Sequence, residues 1–120
     1  MNKPTVIIGS SENPERYAQK ALVSLQKHGH TVYPVGLKEG TFNGTVIYTN
    51  NQNFESIDTV TLYVGPKNQP YWYEYIFSLK PKRIIFNPGT ESNELMTLAK
   101  AKGIETIEAC TLVMLSIGVY

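Results

Sequence analysis

Apolar positions in this chain come in two rhythms. Short continuous runs, four to six residues long, alternate with stretches in which apolar residues recur at helical spacing. Thr5–Ile8 is the first run, closed by Gly9, and it reads as a buried parallel strand. The stretch after it predicts a helix with Asn13 as N-cap and Pro14 in the first turn. Tyr17, Ala18, Ala21, Leu22 and Leu25 form its apolar face, and Gly29 ends it. Thr31–Val35 follows as a second strand, so strand, helix and strand make a βαβ unit.

The middle is less regular. "GLKEGTFNGTVIYTNNQNF" carries one weak strand, Thr45–Tyr48, at a loop-rich edge. Thr59–Val64 is the next strand. Pro70 opens a helix to Leu79, and Pro81 prevents its continuation. Arg83–Phe86 is a strand running into "NPG", a helix spans Ser92–Lys102 before Gly103, and Glu105–Glu108 is the last strand. This alternation predicts an α/β fold: one Rossmann-like, doubly wound parallel sheet in three layers, strand order 3-2-1-4-5-6. Its ligand crevice would lie beyond the strand C-termini, between Gly9–Asn13, Val35–Gly40, Val64–Gln69 and Asn87–Glu91.

Composition narrows the partners. At 120 residues the chain fits one domain. Eleven basic against ten acidic residues give a net charge of +1, which offers no broad footprint for nucleic acid or an anionic membrane. No apolar run reaches the roughly 18 residues that span a bilayer, and Met1-Asn2-Lys3-Pro4 contains no signal-peptide core. The single cysteine, Cys110, fits a reducing cytosol, so the expected location is cytoplasmic.

The first loop, Gly9-Ser10-Ser11-Glu12-Asn13-Pro14, keeps only the first glycine of the dinucleotide fingerprint G-x-G-x-x-G. The acidic residue that reads an NAD ribose is also absent, because the second strand ends in Tyr33-Pro34-Val35-Gly36. Lys38 is the nearest charge, and it suits a phosphate near an adenosine ribose. The loop therefore points to a phosphorylated adenosine ligand, coenzyme A or NADP. A solvated lysine beside an ordinary βα turn is the plain alternative.

"VIIGSSENP", "HGHTVYPVG" and "FNPGTESNELMTLAKAKGIETIEAC" together resemble the small bacterial CoA-binding-domain proteins, relatives of the nucleotide-binding domain of the succinyl-CoA synthetase α subunit. The resemblance rests on Gly9–Pro14, Pro34–Val35, Pro88–Glu94 and Cys110 and covers nearly the whole chain. It implies a Rossmann-like fold and a coenzyme A site on Gly9, Ser10, Ser11 and Asn13 with the ends of the second and fourth strands. Gly36-Leu37-Lys38 departs from the family's Asn-Pro after Pro-Val, at the adenine end. The candidate ligand set is completed by Tyr17 on the helix and by Val35, Gly36 and Lys38 after the second strand. Val64, Gly65 and Pro66, then Asn87, Pro88 and Gly89, add the later loops, past which pantetheine would run.

No catalytic set emerges. His28 and His30 have no metal-spaced partners, and Cys110 reads as a small buried hydrophobe with no neighbouring cation. The function expected is binding of coenzyme A or acyl-CoA. Its rivals are an NADP-dependent reductase, a ligase-like subunit that needs a partner chain, and an interaction module with an empty pocket. In "PYWYEYIFSL", Trp72, Tyr75, Ile76 and Leu79 would bury on the sheet. Tyr73 and Phe77 fall on another side, which suggests a homodimer contact.

Overall fold

The computed structural model describes residues Met1–Tyr120. Five strands make the central sheet: β1 (Thr5–Ile8), β2 (Val32–Val35), β5 (Thr59–Leu62), β6 (Arg83–Phe86) and β7 (Glu105–Glu108). All pair in parallel, in the spatial order β2-β1-β5-β6-β7. Helices α1 (Tyr17–Lys27) and α4 (Thr111–Ser116) cover one face, and α2 (Tyr73–Ser78) and α3 (Asn93–Ala101) the other. The fold is the Rossmann-like α/β architecture that the alternation of runs predicts.

The expected sixth sheet strand is not there. Thr45–Ile47 is β4, and it pairs antiparallel with β3 (Gly40–Phe42) in a separate hairpin. It touches the main sheet only through a bridge between Val35 and Tyr48. A parallel crossover needs about a dozen residues or more, usually with a helix, and too few lie between Val35 and Thr45. The chain turns back instead, through Asn43 (φ 49°) and Gly44 (φ 76°), the pair a type I′ turn favours.

Helix α1 begins later than the Asn13-Pro14 signal suggests. Asn13 Oδ1 accepts the Glu15 N–H and Asn13 O accepts the Arg16 N–H, so this segment closes a turn of its own first. Tyr17 is consequently exposed rather than part of the apolar face. At the other end the expectation holds. Gly29 has φ +85°, and the His30 N–H bonds back to Leu25 O while Gly29 N–H bonds to Gln26 O, a Schellman cap. In α3, Ser92 is the N-cap rather than the first helical residue, its Oγ accepting the Leu95 N–H.

Two further expectations are corrected. Helix α4 has no counterpart in the sequence reading, and Cys110, its N-cap, is half-buried rather than buried. Tyr73 and Phe77 pack on α3: the Tyr73 hydroxyl donates to Glu94 Oε1 (2.7 Å), and Lys102 Nζ lies 5.1 Å from the Phe77 ring centroid. Both rings thus find partners within the chain and are half-buried. Trp72, Tyr75, Ile76 and Leu79 are buried against the sheet as expected.

Candidate functional site

The ends of β1, β2 and β5 cross very closely. The N–H groups of Gly9 and Ser10 both donate to Val35 O, and Tyr63 N–H donates to Ile8 O. Gly9 sits at φ +109°, and a Cβ there would come 2.9 Å from Tyr63 O. Gly36 is tighter still: a Cβ would lie 2.0 Å from Ser10 O. These two glycines let three backbones meet under the crevice.

Above that crossing lies a cavity of about 780 Å³. Gly9, Ser10, Ser11 and Glu12 form one wall, and Leu37, Lys38 and Glu39 another. Tyr63–Gly65, Lys67, Asn68 and Pro70–Trp72 close the third side. A second cavity, about 310 Å³, opens between the start of α1 and the loop after β6, lined by Arg16, Tyr17, Ala18, Pro88, Gly89 and Thr90. The two adjoin: Gly9, Arg16, Tyr63 and Gly65 line both.

Of the expected residues, Gly9, Ser10, Ser11, Lys38, Val64 and Gly65 line the larger cavity, and Tyr17, Pro88 and Gly89 the smaller. Val35 and Gly36 lie beneath the lining, and Pro66 starts a single 3-10 turn beside it. Asn13 is exposed in its own turn. Asn87 is buried and fully occupied. Its Nδ2 donates to Thr61 Oγ1 (2.7 Å) and Leu62 O (2.8 Å), and its Oδ1 accepts the Thr111 N–H (2.9 Å). That carboxamide ties β5, β6 and α4 together.

Several residues that form the site stand outside the expected set. Arg16 and Lys67 add two cations to Lys38, and none of the three is in an ion pair, since Arg83–Asp58 is the only one in the molecule. Gln19, fully buried on α1, accepts the Ser11 N–H through Oε1 and holds the loop down. Glu12 Oε2 accepts the Thr41 N–H, linking that loop to the β3–β4 hairpin. Gln69, fully buried, donates from Nε2 to both Val64 O and Thr90 O, so it clamps the loops after β5 and β6. A Gln inside an apolar stripe was the available signal for Gln19, whereas Arg16 falls within the helix expected from Asn13 and carried none.

The polar character suits an anion. Ser10 Oγ is buried and without a partner on the wall of the larger cavity. No side chain caps the N-terminus of α1, which faces the smaller cavity. Free N–H groups and the positive end of an eleven-residue helix dipole favour a phosphate there. Two large apolar side chains, Leu37 and Tyr71, are 74% and 60% exposed on the rim of the larger cavity. Tyr63, which lines both cavities, has its phenol held far up its titration range by burial. It therefore stays neutral across physiological pH.

The histidines lie elsewhere. His28 Nδ1–H donates to Ser24 O at the end of α1, and His30 Nδ1 accepts the Lys3 N–H (2.9 Å). No group of three or more His, Cys, Asp or Glu is placed to hold a metal ion. No helix is long and apolar enough to cross a membrane.

The fold is a Rossmann-like α/β domain with a crevice at the C-terminal ends of its strands. The chain belongs to the CoA binding domain family, which it matches over residues 3–116. A crystal structure of an uncharacterised protein is 48% identical over 100% of this chain and 99% of that one, with a TM-score of 0.96. A hypothetical protein from Pyrococcus horikoshii OT3 is 27% identical over 92% of this chain and 80% of that one, TM-score 0.82. A conserved hypothetical protein from Pyrococcus furiosus is 25% identical over 92% and 97%, TM-score 0.81. No curated protein matches.

Proposed function

We infer that the protein binds coenzyme A or an acyl-CoA and has no catalytic constellation of its own. The observation that carries this reading is the unpaired cation set, Arg16, Lys38 and Lys67, around a cavity at the C-terminal ends of β1 and β5. Coenzyme A carries a diphosphate and a separate ribose phosphate, and three lysine or arginine groups match that distribution of charge. Membership of the CoA binding domain family supports the same ligand. Ser10 Oγ and the N–H groups at the start of α1 would hold the diphosphate, with Lys38 toward the ribose phosphate. Leu37 and Tyr71 would flank the base, since a planar ring covers apolar surface that water now meets.

Lys38 keeps a second reading in view, an NADP-dependent reductase, because a 2′-phosphate would suit the same side chain. A lone free thiol fits a cytoplasmic setting. Mass spectrometry of protein purified under native conditions tests the proposal. A retained molecule with the mass of coenzyme A or an acyl-CoA is the expected result. A retained nicotinamide dinucleotide would overturn it in favour of the reductase.

A further inference from the structure

The tip of the β3–β4 hairpin holds two groups that can react with each other. Asn43 and Gly44 are both exposed, and their left-handed backbones, φ 49° and 76°, make the two-residue turn. The Gly44 N–H donates to no acceptor. Two side-chain bonds reach the hairpin, from the Thr41 N–H to Glu12 Oε2 and from Gln26 Nε2 to Thr45 Oγ1. Neither engages the Asn43 carboxamide. A nitrogen nucleophile and an amide carbon thus stand on adjacent residues, and no partner holds either. Glycine has no Cβ to crowd the attacking nitrogen, and nothing lies within 4 Å of where one would sit.

No other asparagine combines these features. Asn13 and Asn87 precede prolines, whose nitrogens carry no hydrogen. Asn68 and Asn93 lie in helical turns, each before a residue with a side chain. The carboxamides of Asn2, Asn50, Asn51 and Asn53 are hydrogen-bonded. Asn43 also lies in a short element, with three residue pairs in the hairpin and one bridge to the sheet. A hairpin that small opens readily at its tip.

We propose that Asn43-Gly44 is a modification site, where Asn43 deamidates through a succinimide and the isoaspartate formed unlocks the hairpin from the crevice loop. The Gly44 nitrogen gives up its proton and bonds to Asn43 Cγ, and the Cγ–Nδ2 bond breaks with ammonia as the leaving group. Water then opens the ring. Attack at Cγ gives aspartate. Attack at the backbone carbonyl carbon gives isoaspartate, whose chain runs through Cγ and is one methylene longer. A two-residue turn between the paired Phe42 and Thr45 has no slack for that carbon. Thr41 then parts from Glu12, which lies on the wall of the larger cavity. Aspartate adds charge alone and keeps the turn.

Purified wild type, Asn43→Gly and Asn43→Asp, each held at mildly alkaline pH and physiological temperature, test this beside a synthetic Gly40–Ile47 peptide as the unfolded reference. Peptide mapping by mass spectrometry, with an isoaspartate-specific methyltransferase, reads the product, and hydrogen exchange reads the Thr41 amide. Wild type should convert at Asn43 before any other asparagine, with isoaspartate in excess of aspartate. In the isoaspartyl fraction Thr41 should exchange at least about tenfold faster than in fresh protein. Asn43→Gly, which suits the same turn, and Asn43→Asp should exchange like fresh wild type before and after the incubation. Asn43 intact in the protein once the peptide has converted fully would overturn the site. Unchanged Thr41 exchange in the isoaspartyl fraction, or an equal quickening in Asn43→Asp, would overturn the unlocking.

Discussion

The face of the sheet under α2 and α3 and the face under α1 and α4 differ in what fills them. On the first, Val6, Ile8, Val60, Leu62, Ile84 and Phe86 are all fully buried in one apolar cluster of 15 residues with Trp72, Ile76 and Leu95. On the second, the alternate positions of the same strands supply Thr5, Thr59, Thr61, Arg83 and Asn87, all buried, and the apolar cluster has only 7 members. Those polar groups bond across strands: Arg83 Nε donates to Thr59 Oγ1 (2.7 Å), and Thr61 and Thr111 share a hydrogen bond (2.8 Å). Tyr120 closes the bottom of this face, its ring 4.5 Å from the Arg83 guanidinium carbon. Apolar burial has no preferred direction, whereas each hydrogen bond fixes one geometry. One face holds the sheet together, and the other sets the positions of the loops above it.

Breaking the apolar face should cost the most. Phe86→Ala removes a fully buried ring and is expected to destabilise by about 3–5 kcal/mol, read as a lower urea midpoint at constant m-value. Asn87→Ala, on the polar face, should cost about 1–3 kcal/mol for the bonds lost and the partners stranded. Its signature is local: amide exchange should quicken at Thr111–Leu115 in α4 and stay unchanged in α2. A larger loss from Asn87→Ala than from Phe86→Ala, or uniform exchange, would contradict the division of roles.

The smallest effect lies at the bottom of the polar face. Burial, then the positive N-terminus, Lys3, His28 and Arg83, lower the pKa of His30 below 6.5. The ring accepts the Lys3 N–H and packs 4.9 Å from Tyr120. A lowered pKa means that the unfolded chain takes up the proton first. The stability His30 contributes is thus complete above pH 6.5 and is lost as pH falls through its folded value. Wild type should lose slightly more stability than His30→Gln between pH 7.5 and pH 5, because carboxylates titrate alike in both. Identical losses in urea unfolding would show that His30 binds its proton equally in the folded and the unfolded chain, against the lowered pKa.

The same contrast explains what could be read from the chain. β1, β5, β6 and α3 announce themselves through apolar runs and local caps, and each lies where the pattern predicts. Asn43-Gly44 also carried a hairpin signal, but the flanking strands are too short and polar to stand out. Helix α4 was invisible because its start is fixed by Asn87, 24 residues away, and its six residues carry no cap of their own. The start of α1 was misplaced because Asn13 serves equally well in a turn and in a cap. At the site, the loops were legible and their division of labour was not. Gly36 and Asn87 look like ligand contacts in sequence and are explained by backbone crossing and cross-strand bonding. Arg16 and Gln69 gain their roles only once two loops stand side by side.

Ligand choice tests the central claim most directly, and the melting temperature reports it. Any ligand that binds only the folded chain at about 100 times its Kd stabilises by about 2.7 kcal/mol. Coenzyme A, NADP and NAD at equal concentration should therefore separate, with the largest rise from coenzyme A and the smallest from NAD, which offers nothing to Lys38. A rise with NAD equal to or above that with coenzyme A would contradict the account, and a largest rise with NADP would transfer the site to the reductase reading.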